Sequence, residues 1–242
     1  MSQDTQALTF GSLFAGIGGM DLGLERAGME CRWQVENNPD ATRCLEDHWP
    51  EVKKYGDIKT VGAELERVDV IAGGFPCVDI SAAGRQAGIE AERSGLWFEY
   101  ARLIRILRPR YVLIENVARL LVSGMDRVLG ELAGSGYDAE WQVLPARAFG
   151  APHCRNRVFI LAYPSGTRLE GIYEACRRVN MQSTTRDLRR QWDTEPKLDR
   201  VANGLSRWVD GKAALIGCGN AVVPQVAEWL GRRIIEADRM AA

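Results

Sequence analysis

The sequence of 242 residues lacks the patterns that mark metal-binding, disulfide-bonded or membrane proteins. Its six cysteines contain no C-x-x-C pair, and its only histidines, His48 and His153, have no acidic or cysteine neighbours at ligand spacing, so no metal site is expected. No apolar run is long enough to cross a bilayer, and the first ten residues, MSQDTQALTF, lack the basic-then-apolar order of a secretion signal. These absences predict a cytoplasmic protein with free thiols and no membrane partner.

An excess of charge of either sign is also absent. The formal net charge is −1, which excludes a protein that is basic over its whole surface. Contact with a nucleic acid therefore has to come from a local basic patch. Internal repeats and low-complexity tracts are missing too, and a hydrophobic content of 46% is ample for one sizeable α/β domain with a small insertion.

Short β-rich runs alternate with amphipathic stretches up to residue 163, as a doubly wound, mostly parallel α/β sheet requires. Apolar residues at helical spacing follow Leu96, and Pro109 ends that helix. A last helix is predicted to begin near Pro224. The predicted strands are residues 8–14, 32–36, 68–74, 111–117 and 157–163.

Residues 164–212 differ from the rest because they are polar and rich in arginine. We therefore predict one core domain, residues 1–163 plus 213–242, interrupted by a short basic segment, residues 164–212. Arg186, Arg189 and Arg190 are the candidates for phosphate contacts in that segment. A solvated charged face is the alternative interpretation of the same three residues.

The stretch LTFGSLFAGIGGMDLGLERAG combines a strand, a bend with Gly16, Gly18 and Gly19, and a helix. Such glycines let backbone amides approach a ligand at a helix N-terminus. Glu36 ends the next strand, where related folds place an acid that binds ribose hydroxyls. A tight turn needs the same glycines without any ligand, so the bend alone is weak evidence. The adjacent glycines depart from G-x-G-x-x-G, which favours a nucleoside cofactor without a pyrophosphate.

Three further groups carry candidate chemistry. Cys77 follows Pro76 on the Gly73-Gly74 bend, at the carboxyl end of a strand. Glu115 ends another apolar strand, and Arg155 and Arg157 fall on one face of an extended segment because strand side chains alternate. The alternatives are a buried apolar cysteine, a solvated carboxylate and an exposed strand edge.

Together, these motifs resemble those of cytosine-C5 DNA methyltransferases, the family of the bacterial Dcm-type enzymes and small phage forms. The resemblance implies a Rossmann-like, S-adenosylmethionine-dependent methyltransferase fold with a small target-recognition insert. The motifs follow the family's order and are FAGIGG (14–19), Glu36-Asn37, Asp57-Ile58, GGFPCVDIS (73–81), ENV (115–117), RAFGAPHCRNRVFIL (147–161) and GCGNAVVPQVAEWLG (217–231).

The resemblance implies methyl transfer to C5 of a flipped-out cytosine in double-stranded DNA. In this reading Cys77 adds to C6 of the base and Glu115 protonates N3, while Arg155 and Arg157 hold the base and orient the glutamate. The DNA-side residues implied by the same motifs are Pro76, Ser81, Asn116 and Val117.

For S-adenosylmethionine the resemblance assigns eight residues. It also implies that the C-terminal segment returns to pack beside the first motif. The assigned residues are Phe14, Gly16 and Gly18 in the pocket, Glu36 at the ribose, Asp57 and Ile58 at the adenine, and Asn220 with Val222 on the C-terminal side.

The sequence departs from the family at three places. Val78 replaces the usual glutamine after the cysteine, Asn37 replaces an aromatic residue that stacks on adenine, and the recognition region has only about fifty residues. A monomer that reads a short target, or that uses a helper protein, is therefore expected.

Two other functions stay open at this point, and a third fits the residues poorly. One branch of the family methylates transfer RNA, and phosphate contacts from a basic insert would serve either nucleic acid. A non-catalytic DNA-binding relative would not need Cys77 or Glu115. A nicotinamide oxidoreductase fits the glycine bend but leaves Cys77, Glu115 and the two arginines without a common role.

Overall fold

The computed structural model describes residues 7–76, 95–167 and 221–241. Its strands are β1 (Thr9–Leu13), β2 (Glu30–Val35), β3 (Lys53–Tyr55), β4 (Val70–Gly73), β5 (Tyr111–Val117), β6 (Tyr137–Pro145) and β7 (Asn156–Pro164). Its α-helices are α1 (Gly19–Ala27), α2 (Pro39–His48), α3 (Gly95–Leu107), α4 (Met125–Gly134) and α5 (Pro224–Ala241). Short 3₁₀ helices cover Ile58–Thr60, Ala118–Val122 and Ala146–Phe149.

The seven strands form one sheet in the order β3-β2-β1-β4-β5-β7-β6. Strands β1 to β5 pair in parallel, and β7 runs antiparallel to both of its neighbours. The five strands predicted from the sequence are confirmed. The two that it missed, β3 and β6, lie at the edges of the sheet and carry exposed polar residues, which weakens their apolar signal.

Helices cover both faces of the sheet, which confirms the doubly wound α/β fold. One buried cluster joins the sheet to α3 and α4 through side chains such as Tyr100 and Leu132. A second cluster joins the opposite face to α1 and α5 through Leu24 and Leu230. In the described ranges, no helix has both the length and the apolar character that crossing a membrane requires.

The chain reverses its direction of travel across the sheet between β1 and β4. From β1 it moves outward to β2 and β3, and it then returns to the other side of β1 as β4. The loops after β1 and β4 therefore diverge and leave a crevice at the carboxyl ends of the strands. This crevice is where an open α/β sheet binds its ligands.

Helix α5 packs directly on α1 because small residues line their contact. A Cβ atom built on Gly19 would lie 2.3 Å from the carbonyl oxygen of Val222, and one on Gly23 would lie 2.5 Å from Cβ of Ala227. The two backbones approach more closely than larger side chains allow. The expected return of the C-terminal segment to the first motif is thus confirmed for residues 221–241.

Candidate active site

A cavity of about 560 Å³ opens at the crevice between β1 and β4. Its volume lies within the range of small-molecule and cofactor pockets. Its lining combines the bend after β1, the residues after β2, the ends of β4 and β5, and the segment before α5. The sequence-predicted residues in this lining are Phe14, Gly16, Glu36, Pro76, Glu115, Asn116, Val117, Arg157 and Val222.

The bend between β1 and α1 has left-handed backbone at three positions. Gly16 has φ +57° and Gly18 has φ +81°, conformations that glycine adopts without strain. Phe14 has φ +53°, which is uncommon for a residue with a Cβ atom. Its ring stacks on Tyr100 at 6.4 Å between centroids, so packing holds the strained residue in place.

Glu36 directly follows β2, and its side chain is hydrogen-bonded to this bend. Its Oε2 accepts a hydrogen bond of 2.7 Å from the Gly16 amide, and its Oε1 accepts one of 2.8 Å from the Asn38 amide. A carboxylate offers about four acceptor positions, so each oxygen keeps one for a ligand hydroxyl. The orientation of Glu36 is therefore fixed before any ligand binds.

Two polar residues of the cavity wall escaped the sequence analysis. Asn38 caps α2 by accepting hydrogen bonds from the amides of Asp40 and Ala41, and both Asn38 and Asp40 line the cavity. The signal was present as Asn38-Pro39, an N-cap followed by proline at the first helical position.

Asp57 and Ile58 lie apart from the cavity lining in the described structure. Asp57 caps the first 3₁₀ helix by accepting a hydrogen bond of 2.9 Å from the Lys59 amide. Ile58 is only 3% exposed and belongs to the core on the α3 side. Their assignment to adenine stays a prediction from the resemblance.

Glu115 is buried at the carboxyl end of β5. Its Oε1 lies 2.9 Å from Nε of Arg157, which reaches it from the paired strand β7. The other oxygen, Oε2, stands where a side chain on Gly74 would have to go, because a Cβ atom there would lie 2.5 Å away. The glycine after β4 thus makes room for the carboxylate.

Burial raises the pKa of Glu115 above its ordinary value, and the charges of Arg157 and Arg155 offset part of that rise. Arg155 and Arg157 together line a small recess beside the C-terminal segment. A carboxyl group of raised pKa beside two guanidinium groups suits proton donation to a ligand.

Asn116 joins the ends of the two central strands. Its Nδ2 donates a hydrogen bond of 3.0 Å to the carbonyl of Phe75, and its Oδ1 accepts one of 2.8 Å from the Val117 amide. The backbone that leads to Pro76 is therefore tied to the strand that carries Glu115.

A buried carboxylate network lies between the sheet and α1. Asp21 accepts hydrogen bonds of 3.0 Å from the Ser12 hydroxyl and 2.8 Å from Nε2 of Gln34. Burial raises the pKa of Asp21 to about 6. Ser12 also lines the cavity, so the network supports its floor. Asp21 cannot be recognised from the sequence, because a charged residue in a first helical turn usually faces solvent.

Several sequence-predicted residues lie outside the described residues. They are Cys77, Ser81, Arg186, Arg189, Arg190 and Asn220. Most of the proposed basic segment lies there as well, so its boundaries stay a prediction. Among the residues that are described, no group of three or more His, Cys, Asp and Glu side chains is arranged to hold a metal ion.

The family model described as C-5 cytosine-specific DNA methylase matches residues 8–207. The chain belongs to this family. That match confirms the resemblance seen in the ordered motifs.

Curated relatives agree with the family. The chain is 40% identical over 162 residues to the type II methyltransferase M2.BsuMI of Bacillus subtilis, covering 62% of this chain and 41% of the relative. It is 37% identical over 166 residues to M.Bsp6I of a Bacillus species, covering 64% and 52%. M.DsaV of Dactylococcopsis salina is 30% identical over 190 residues, covering 76% and 54%. The chain thus spans about half the length of these relatives.

Solved structures give the same fold. A protein described as a DNA modification methyltransferase encoded within an E. coli prophage matches with a TM-score of 0.59 and 26% identity, covering 69% of this chain and 50% of its own. Spodoptera frugiperda DNMT2 matches with a TM-score of 0.59 over 68% of this chain and 52% of its own. At 20% identity the second likeness concerns the fold alone.

Proposed function

We propose that this chain transfers a methyl group from S-adenosylmethionine to C5 of a flipped-out cytosine in double-stranded DNA. The observation that carries the proposal is the convergence of Glu115, Arg157 and the glycine bend on one cavity. Family membership supports the reaction class. Pro76, which lines the same cavity, precedes Cys77 directly.

The residues around the cavity fit a nucleoside methyl donor. The left-handed Gly16 brings backbone to the cavity, and Glu36 offers a pre-oriented carboxylate for ribose hydroxyls. When bound, S-adenosylmethionine supplies an electrophilic methyl group on a sulfonium. Val222 closes the wall on the C-terminal side.

Cytosine C5 is a poor nucleophile, and the chain's residues have to change that. The Cys77 thiolate forms a bond to C6 while Glu115 delivers its proton to N3, which draws electron density from C6. C5 of the resulting enamine would then accept the methyl group as its bond to sulfur breaks, and S-adenosylhomocysteine would leave as the neutral thioether. Loss of the C5 proton to a base then expels Cys77 as thiolate, and the N3 proton returns to Glu115.

Arg157 and Arg155 stabilise the carboxylate that Glu115 becomes after it has given its proton. The buried environment favours the protonated form of Glu115 before proton transfer. After transfer, the two cations reduce the free-energy cost of the buried carboxylate. This balance is what a group that donates and regains a proton requires.

Partners and setting follow from the same proposal. Arg186, Arg189 and Arg190 supply phosphate contacts, and a helper protein completes target recognition if the short basic segment reads too little. The type II names of the relatives favour a modification role in a restriction–modification system. Phage self-protection, cytoplasmic location and a monomeric state remain predictions from the sequence.

Transfer of tritiated methyl groups tests the proposal. Purified protein is incubated with labelled S-adenosylmethionine and, separately, duplex DNA or bulk transfer RNA. We expect labelled DNA, unlabelled transfer RNA and no transfer by Cys77→Ser. Labelled transfer RNA with unlabelled DNA would establish the other branch of the family, and bisulfite sequencing of the DNA would give the target.

A further inference from the structure

The indole of Trp49 lies directly against the glycine bend. A Cβ atom built on Gly18 would lie 2.3 Å from Cζ3 and 2.6 Å from Cη2 of Trp49, and 3.1 Å from Cδ2 of Leu45. Trp49 follows α2 and is only 8% exposed. Its six-membered ring therefore occupies the space into which any side chain at residue 18 would point.

The turn that carries this indole is itself anchored. The Trp49 amide donates a hydrogen bond of 2.8 Å to the Leu45 carbonyl. Nζ of Lys54 donates to the Trp49 carbonyl and, at 2.7 Å, to the Val52 carbonyl. Because Lys54 belongs to β3, the backbone of the turn that carries the ring is tied to the sheet as well as to α2.

Gly18 is the residue at which the bend becomes a helix. Its amide donates to the Ala15 carbonyl at 3.0 Å, and its carbonyl accepts from the Leu22 amide at 2.9 Å. Gly16, at the other end of the bend, is held by Glu36. The bend is thus fixed at two points, and its members Gly16, Ile17 and Gly19 line the cavity.

We propose that Trp49 is a positioning residue for the methyl donor. Trp49 is not among the described residues that line the cavity. It acts through Gly18. Its ring prevents the bend from moving toward α2 and so keeps the backbone of the bend in the conformation that binds the ligand. This inference rests on the proposed function, since it takes S-adenosylmethionine as the ligand of the bend.

A second tryptophan provides a matched control. Trp33 on β2 covers Gly11 in the same way, with its Cζ2 2.1 Å from a Cβ atom built there. It is 1% exposed, and its Nε1 also donates to the Glu66 carbonyl. Trp→Phe removes the contacting benzo ring at either position. Of these two tryptophans, Trp49 covers a glycine of the bend, whereas Trp33 covers Gly11 in the middle of β1.

The test compares Trp49→Phe with Trp33→Phe by calorimetric titration of S-adenosylhomocysteine into the full chain. We expect the dissociation constant to rise about tenfold in Trp49→Phe, because a pre-organised site becomes looser, and to stay within about twofold in Trp33→Phe. Both variants should melt at lower temperature than the wild type. In steady-state assays, KM for S-adenosylmethionine should rise in Trp49→Phe, while KM for DNA and kcat stay within about twofold.

Equal affinity for S-adenosylhomocysteine in Trp49→Phe and wild type would overturn this inference but not the proposed function. Equal weakening in Trp49→Phe and Trp33→Phe would also overturn it, because the loss of affinity would then follow from lower protein stability. A wild-type chain that binds no S-adenosylhomocysteine would overturn the proposed function and this inference together. If Trp49→Phe does not fold, Lys54→Met, which loosens the turn but keeps the indole, has to show the same selective loss of affinity.

Discussion

Gly74→Ala is expected to slow catalysis roughly 100-fold while leaving the fold intact. The added Cβ atom would lie 2.5 Å from Oε2 of Glu115, and ordinary van der Waals contact begins near 3.4 Å. The carboxylate therefore has to move by about 1 Å, and a displacement of that size at a reacting group lowers rates by roughly 100-fold. Because the displaced atom ends a flexible side chain, the free energy of unfolding should fall by no more than about 1 kcal/mol.

The assay measures kcat for methyl transfer to duplex DNA alongside thermal unfolding. Gly130→Ala is the matched control, since it adds the same methyl group on α4, where no described atom lies within 4 Å of the new Cβ apart from the neighbouring residues and the helix's own backbone. We expect Gly130→Ala to keep wild-type kcat. Wild-type kcat in Gly74→Ala would refute the reasoning, because it would mean that the position of Glu115 does not control the reaction.

Three more predictions concern charge and packing. Arg157→Gln removes a cation that lowers the pKa of Glu115. The pH at which kcat/KM falls on the alkaline side should therefore increase, and the maximal rate should be lower. An alkaline fall at the same pH as in the wild type would argue against Glu115 as the acid. Asp21 has a pKa raised from 3.8 to about 6. Its stabilising contribution is therefore present below about pH 4 and is lost as the pH rises through about 6, which corresponds to about 3 kcal/mol. Urea denaturation measures the free energy of unfolding of Asp21→Asn and of wild type at each pH. As the pH rises from about 4 to above 6, the variant should gain about 3 kcal/mol relative to wild type. A difference that does not change with pH would contradict this prediction. Gly23→Ala places a Cβ atom 2.4 Å from the Pro224 carbonyl oxygen and should lower the free energy of unfolding by about 1–3 kcal/mol, in contrast to Gly130→Ala, because backbone cannot yield as a side chain can. A Gly23→Ala variant as stable as the wild type would show that α1 and α5 are not in close contact.

Much of the fold could be predicted because its central strands are apolar on both faces. β5 is buried along nearly its whole length, and its observed ends are those of the predicted strand, residues 111–117. The edge strands β3 and β6 expose polar side chains and were missed. The pattern of apolar residues reflects burial, so edge strands that are only partly buried have a weaker apolar pattern.

The site could be predicted in part for a similar reason. Glu115 and Glu36 were identified because each stands at the carboxyl end of a predicted strand, where parallel sheets gather their functional groups. Arg157 was identified from the alternation of side chains along the extended segment that forms the antiparallel strand β7. Asp21 and Trp49 were missed because their importance lies in what they touch. No local pattern reveals that an indole after α2 covers Gly18, or that a carboxylate on α1 meets Ser12.

The central claim is that Cys77 and Glu115 act on one extruded cytosine beside the methyl donor, and trapping with 5-fluorocytosine DNA tests it most directly. Fluorine cannot leave C5 as a proton does, so the enzyme should remain bonded to methylated DNA. We expect a denaturation-stable complex that requires S-adenosylmethionine, maps to Cys77 by peptide mass spectrometry and is strongly reduced in Glu115→Gln. An adduct on another residue, or none with DNA that the wild type methylates, would contradict the account.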